Sequence, residues 1–296
     1  MKRQTVRTIL GVVLALAGVA KAGLAQTPAA NATQTSGEGQ SATAAAAQEA
    51  TNPFASSWQM QMQQNNNWTA MPFGDQTRVQ SNLVFQPLMS MRLTEKQGLI
   101  IRPVVTMVNS VPHPGQNGQN ERTAGFGDTV LAFALPHAFL GGRLMLGAGP
   151  TFIFPTASKR LLGQDNWQGG PDVGAALLGR HFITYGFVQQ WFKMGGDGRK
   201  TNQMNGVFNF TYLFDNGWTV GTQPTLSVDW KASAGERATF PIGPQVGKMC
   251  KCGGTPTLIQ VQAQYYPIRP SGIRPKWNIQ LQVTPTIPSL IKKVLF

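Results

Sequence analysis

Three histidines, His113, His137 and His181, are all the chain offers as acid–base groups near neutral pH. None accompanies a GxSxG nucleophile motif, and the twelve Asp and Glu residues lack the spacing of a calcium-binding loop. Cys250 and Cys252 are the only cysteines, in Lys248-Met249-Cys250-Lys251-Cys252-Gly253-Gly254. Two thiols are too few for a zinc site, and the segment reads as a turn. No catalytic residue, metal site or cofactor is therefore expected, and the chain is not read as an enzyme.

What recurs instead is glutamine at every second position. Gln59, Gln61 and Gln63 form one such run, Gln260, Gln262 and Gln264 another, and Gln280 and Gln282 a third. Gln80, Gln86 and Gln223 share that alternation in other segments. On the same expected face stand Arg78 and Arg102 on neighbouring strands, with Asp229 and Lys231 elsewhere. A side-chain amide both donates and accepts, so such a face can line water or knit to itself. Charges among the amides must be hydrated or paired. One reading is a polar pore whose basic patch favours anionic or polar solutes. The other is a structural network filling a barrel too narrow to conduct.

The elements that carry these residues alternate with period 2. In Trp277–Ile287, Trp277, Ile279, Leu281, Val283 and Ile287 share one face, and Asn278, Gln280, Gln282, Thr284 and Thr286 the other. Twelve such segments follow one another: one from Ser57, then Thr77–Met91, Gly98–Asn109, Gly125–Pro136, Arg143–Pro155 and Pro171–Leu178. The second six are Ile183–Met194, Asn202–Leu213, Trp218–Trp230, Thr239–Met249, Thr255–Tyr266 and Trp277–Ile287. Their connections alternate long and short, and the short ones carry hairpin residues such as Asp215-Asn216-Gly217. This predicts an all-β fold, an antiparallel transmembrane β-barrel of about twelve strands with short periplasmic turns and longer external loops. His113 falls in an expected loop, His137 and His181 in expected short turns. An even strand count puts both termini in the periplasm.

The flanks agree with export. Met1-Lys2-Arg3 opens a basic stretch, an apolar run spans Ile9 to Ala20, and small residues end at Ala25. That is the pattern of a signal peptide over residues 1–25, too short to span a bilayer as a helix. Residues 26–51 hold Ala, Gln, Thr, Ser and Gly without a large apolar residue, and read as a disordered linker. A helix over Ala42–Ala50 is allowed by composition but has no obvious partner. Residues 52–296 form the expected barrel. Charged residues make up 12% of the sequence, about half the usual share of a soluble domain. Losing Lys2, Arg3, Arg7 and Lys21 with the leader lowers the net charge of +13 by four, to +9. The remaining basic residues are dispersed, which argues against nucleic acid and for anionic headgroups or solutes. Expected partners are outer-membrane lipids, a small solute and the barrel-assembly machinery. Its recognition signal is either the terminal Phe296 or a segment ending nearer Ile287.

Five ordered motifs carry a resemblance. They are Gly149-Pro150-Thr151-Phe152-Ile153-Phe154-Pro155-Thr156-Ala157, Trp167-Gln168-Gly169-Gly170-Pro171, Gln189-Gln190-Trp191, Gly195-Gly196-Asp197 and Asp229-Trp230-Lys231. Together they resemble the outer-membrane β-barrel "transporter" proteins grouped with the meta-pathway phenol-degradation proteins, some of which are misnamed neuromedin U. The resemblance covers about Asn52 to Pro288. It implies a channel for small aromatic or hydrophobic solutes, without defined catalytic residues; taken with the basic residues of the polar face, the expected function is passive uptake of small hydrophobic, aromatic or anionic solutes. Cys250, Cys252 and the tail Ser289–Phe296 depart from that pattern. The alternative expectation is a non-conducting structural or adhesive barrel that acts through its external loops.

Overall fold

The structure, a computed structural model, describes residues 41–70, 77–114, 120–271, 274–291 and 293–295. The expected signal peptide and Phe296 lie outside the described residues. Among the described residues one α-helix, α1 (Ala42–Thr51), precedes fifteen β segments. These are β1 (Trp58–Ala70), β2 (Thr77–Arg92), β3 (Gly98–Pro114), β4 (Asn120–Phe126), β5 (Thr129–Phe139), β6 (Leu144–Phe154), β7 (Trp167–Leu178) and β8 (Phe182–Gly195). The series ends with β9 (Asn202–Leu213), β10 (Trp218–Thr222), β11 (Thr225–Asp229), β12 (Ala238–Ile242), β13 (Pro244–Cys252), β14 (Thr255–Ile268) and β15 (Arg274–Ile287).

Three barrel strands are interrupted. β4 and β5, β10 and β11, and β12 and β13 are each one strand broken by one or two residues, so fifteen segments make twelve strands. All pairings are antiparallel between chain neighbours, and β15 closes the ring by pairing with both β14 and β1. At the seam Trp58 faces Ile287 and Trp68 faces Trp277. A closed barrel leaves no edge strand unpaired.

The two faces of the sheet are inverted relative to a water-soluble protein. Along β15, Trp277 is 52% exposed and Leu281 44%, while Gln280 is 4% and Thr284 0% exposed. Phe210 and Val173 outside against Thr211 and Asp172 inside repeat the contrast on β9 and β7. An apolar outer band around a polar interior is the surface a barrel presents to lipid. Among the described residues no helix is long and apolar enough to cross a membrane.

Several expected boundaries move. β3 runs on to Pro114 and pairs with β4 through Val111–Thr123 and His113–Glu121, so much of the expected external loop is a hairpin extension. His113 bonds Thr123 Oγ1 there at 3.1 Å. His137 lies within β5, not in a turn, with its ring 4.8 Å from that of Phe139. β7 begins at Trp167, four residues before the expected segment, because Gln168 continues the inward alternation and is 1% exposed.

The largest difference is α1, which occupies the end of the expected linker. Ser41 caps it, its Oγ accepting from Ala44 N at 3.1 Å, and alanine favours the helical backbone. A ten-residue helix is marginal alone and needs a surface to pack on. That surface is inside the barrel at its short-turn end. Ala47 and Ala50 pack against Ile183, Leu213, Met249 and Leu258, all of them at most 4% exposed. Sequence composition left the helix without a partner because its partner is the inner wall of strands far along the chain.

Candidate functional site

Above α1 the lumen opens into a cavity of about 270 Å³. Thr51, the last residue of the helix, and Pro53 and Phe54 just beyond it line the cavity on that side. Phe54 lies so close to Gly147 that a Cβ there would sit 2.6 Å from its ring, so glycine makes the room for that ring. From β1 the Gln59 amide reaches back to the carbonyls of Glu49 and Asn52, and Glu49 in turn accepts from Ser57 N at 3.0 Å.

Arg102 crosses this cavity. It leaves β3, opposite Ala132 of β5, and its guanidinium stacks 4.7 Å above the Phe187 ring on β8. β5, β6 and β7 lie between β3 and β8 in the wall, so the side chain spans the lumen. Its Nη2 donates to Gln86 Oε1 at 2.6 Å. Gln86 donates to Gln63 (2.9 Å), and Gln63 to Asn65 (3.2 Å). Asn278 donates to both Asn65 (3.2 Å) and Gln264 (2.9 Å). Gln264 donates to the Gln223 carbonyl (3.2 Å), and Gln223 to Tyr185 Oη (2.6 Å). This belt of amides runs round the wall from Arg102 to Tyr185, each member fixing the next.

Asp172 faces the same cavity from β7. Its Oδ2 accepts from Gln189 Nε2 at 3.1 Å, and Gln189 also donates to Thr151, which accepts from Trp191 Nε1 as well. Arg102 and Asp172 feel each other's charge, yet no direct ion pair joins them. The two side chains of opposite charge line one cavity.

The expected lumen residues divide into three groups. Arg102, Gln59, Gln61, Gln63, Gln86, Gln223 and Gln280 line the cavity. Gln260, Gln262, Gln264 and Gln282 are buried against the wall on β14 and β15, where Gln282 donates to Gln260 and Gln262 to the Gly243 carbonyl. Gln80, Arg78 and Asp229 sit towards the long-loop end. Gln80 and Arg78 face Asn67 and Thr69 across the β1–β2 pairing. Asp229 holds Arg199 at 2.6 Å and caps Lys231 N at 2.9 Å. Arg78 and Arg102 do not form one patch. Arg102 lies at the level of Leu88, ten residues along β2 from Arg78, on the order of 33 Å of strand.

Sequence reasoning passed over Asp172, Tyr185 and Gln189. Asp172 stands in a Gly- and Ala-rich segment with little hydrophobic contrast. Its signal was a charged residue in phase with Gln168, two turns of the pleat from Ala176. The long-loop mouth has its own order. Asp128, at the break between β4 and β5, accepts from Ala157 N (3.2 Å) and Gln164 N (2.7 Å), folding residues 155–166 inward. Gln164 then meets Gln203 and Gln168.

No protein-family model matches the chain, and no curated protein matches it. Among solved structures it is similar to an outer membrane channel from Pseudomonas putida F1, with 15% identity and a TM-score of 0.58 over 78% of this chain and 96% of that one. The NanC porin aligns at 9% identity and a TM-score of 0.46, covering 76% of this chain and 98% of that one. The toluene transporter TodX of Pseudomonas putida aligns at 8% identity and a TM-score of 0.41, covering 80% and 91%. The likeness to the first is one of fold.

Proposed function

We propose that the protein is an outer-membrane channel for passive movement of small solutes, delivered to the periplasm by a cleaved signal peptide. Its path runs from the long-loop mouth through the Arg102–Asp172 cavity to the short-turn end, where α1 closes it. The observation that carries this reading is a cavity of about 270 Å³, lined by amides, charged groups and apolar side chains, inside a closed barrel with an apolar exterior. A barrel meant only as a wall would fill that space with side chains, as smaller barrels do. The fold shared with an outer membrane channel supports the reading. Uptake down a gradient requires no cofactor or nucleotide site.

The obstruction by α1 favours a second reading, a non-conducting barrel that acts through its loops. One experiment separates them. The full chain and Ala47→Glu, which puts a charge into the buried contact with Ile183 and Leu258, are refolded into planar bilayers. The channel reading expects the full chain to be mostly closed and Ala47→Glu to give discrete current steps. A folded Ala47→Glu barrel that stays silent and passes no solute in liposome swelling would leave the non-conducting reading.

A further inference from the structure

We propose that the lumen cavity is a binding station for small zwitterions with an apolar body, of the kind and size of an aromatic amino acid. The anionic end would rest on Arg102 and the cationic end on Asp172. The proposal deepens the channel reading and rests on it for entry from the long-loop mouth.

Three observations carry it. First, both charged groups have unused bonding capacity that faces the cavity. Of the five N–H donors of a guanidinium, Arg102 spends one, on Gln86. Asp172 accepts once, through Oδ2 from Gln189, leaving Oδ1 for a donor. Tyr185 accepts from Gln223 and keeps its own proton to give. Second, both charges are held in place. Phe187 stacks beneath Arg102 and the Gln86–Gln63 relay orients it, while Gln189, anchored on Thr151, orients Asp172. Third, the same cavity has apolar side chains on its wall, among them Val104, Val130, Phe187 and Trp191, which share the inward phase of Arg102 and Asp172.

Opposed fixed charges exclude the simpler ligands. A monoanion gains Arg102 but meets the field of Asp172, and a monocation meets the reverse. A neutral hydrocarbon would leave the remaining donors of Arg102 and the second carboxylate oxygen of Asp172 unanswered in a partly dehydrated space. A zwitterion satisfies both and lays its side chain on the aromatic wall. At about 270 Å³ the cavity is a little below the roughly 300 to 1,000 Å³ of drug-sized pockets, which suits one small molecule.

The test is calorimetry on the folded full chain in detergent micelles, with L-phenylalanine, benzoate and 2-phenylethylamine as probes. These share the ring and differ only in which charges they carry. Phenylalanine is expected to bind saturably, about tenfold or more tighter than either analogue. Arg102→Gln and Asp172→Asn, each checked for heat-dependent gel mobility, should each weaken phenylalanine by about tenfold or more, and Asp172→Asn should leave benzoate as tight or tighter. Absence of phenylalanine binding, or equal or tighter binding of either analogue, overturns the proposal without any variant. Phenylalanine binding unmoved by Asp172→Asn overturns it too. The channel reading is judged separately by conductance. A conducting barrel that ignores phenylalanine refutes the station alone, and a binding but impermeable barrel refutes the channel alone.

Discussion

The side-chain amide of Gln59 donates to the carbonyl of Asn52 at 2.6 Å, and the same nitrogen reaches the Glu49 carbonyl at 2.8 Å. The last carbonyls of a helix have no partner within it, so here the first barrel strand supplies one. Removing this tether with Gln59→Ala takes a donor from two half-buried carbonyls, a cost of at most about 1–3 kcal/mol. Amide hydrogen exchange across residues 42–51 should accelerate while the strands keep their protection. Unchanged exchange in the helix would show that the alanine contacts hold it without help.

Ion selectivity should split by residue once α1 is displaced. In the Ala47→Glu background, reversal potentials in a salt gradient should move towards cations for Arg102→Ala and towards anions for Asp172→Ala. Opposite signs follow because the two side chains face one cavity with opposite charges. Shifts of the same sign, or none, would place the ion path elsewhere.

At the long-loop mouth one carboxylate, that of Asp128, holds two loop amides. Asp128→Ala removes the acceptor for both Ala157 N and Gln164 N, at about 1–3 kcal/mol for each orphaned group that water does not reach. Limited proteolysis should then cut between residues 155 and 166, where two basic residues, Lys159 and Arg160, offer trypsin sites. A loop as resistant as the original would mean that Gln164, through Gln203 and Gln168, is sufficient to hold it.

Gly243, at the break between β12 and β13, tolerates no side chain. A Cβ there would lie 1.8 Å from the Ala263 carbonyl oxygen on β14, which is backbone and cannot step aside. Gly243→Ala should therefore lower the yield of heat-modifiable, folded barrel severely. Gly141, with φ at +66° and nothing within 4 Å of its Cβ, should accept Ala at about 1–2 kcal/mol of backbone strain. Comparable yields from the two variants would contradict the geometry.

Strand number and facing were legible because the two faces of each strand meet different surroundings. Trp277 and Gln280 differ in chemistry for the same reason that they differ in exposure. Loop lengths were legible through Asp215-Asn216-Gly217 and its like. What lay beyond reach was contact across the lumen. Arg78 and Arg102 fall on adjacent strands, but only the register of β2 on β3 shows that they stand at different depths. Asp172 and Arg102 line one cavity from strands separated by β5 and β6, an arrangement no local pattern encodes. α1 was hidden for a related reason. Alanine and threonine carry little hydrophobic contrast, and the residues that receive them lie about 130 to 210 positions away.

That remoteness sets an order of events during biogenesis. The helix is the first described element of the chain, yet its receiving surface comes from Ile183, Leu213, Met249 and Leu258, on or beside β8, β9, β13 and β14. It cannot dock until those strands have joined the sheet. A nascent barrel is thus an unstoppered one, and docking of α1 marks its completion. The same timing means that a lesion in the last hairpins would leave a finished-looking barrel leaking, with its stopper made first and its socket made last.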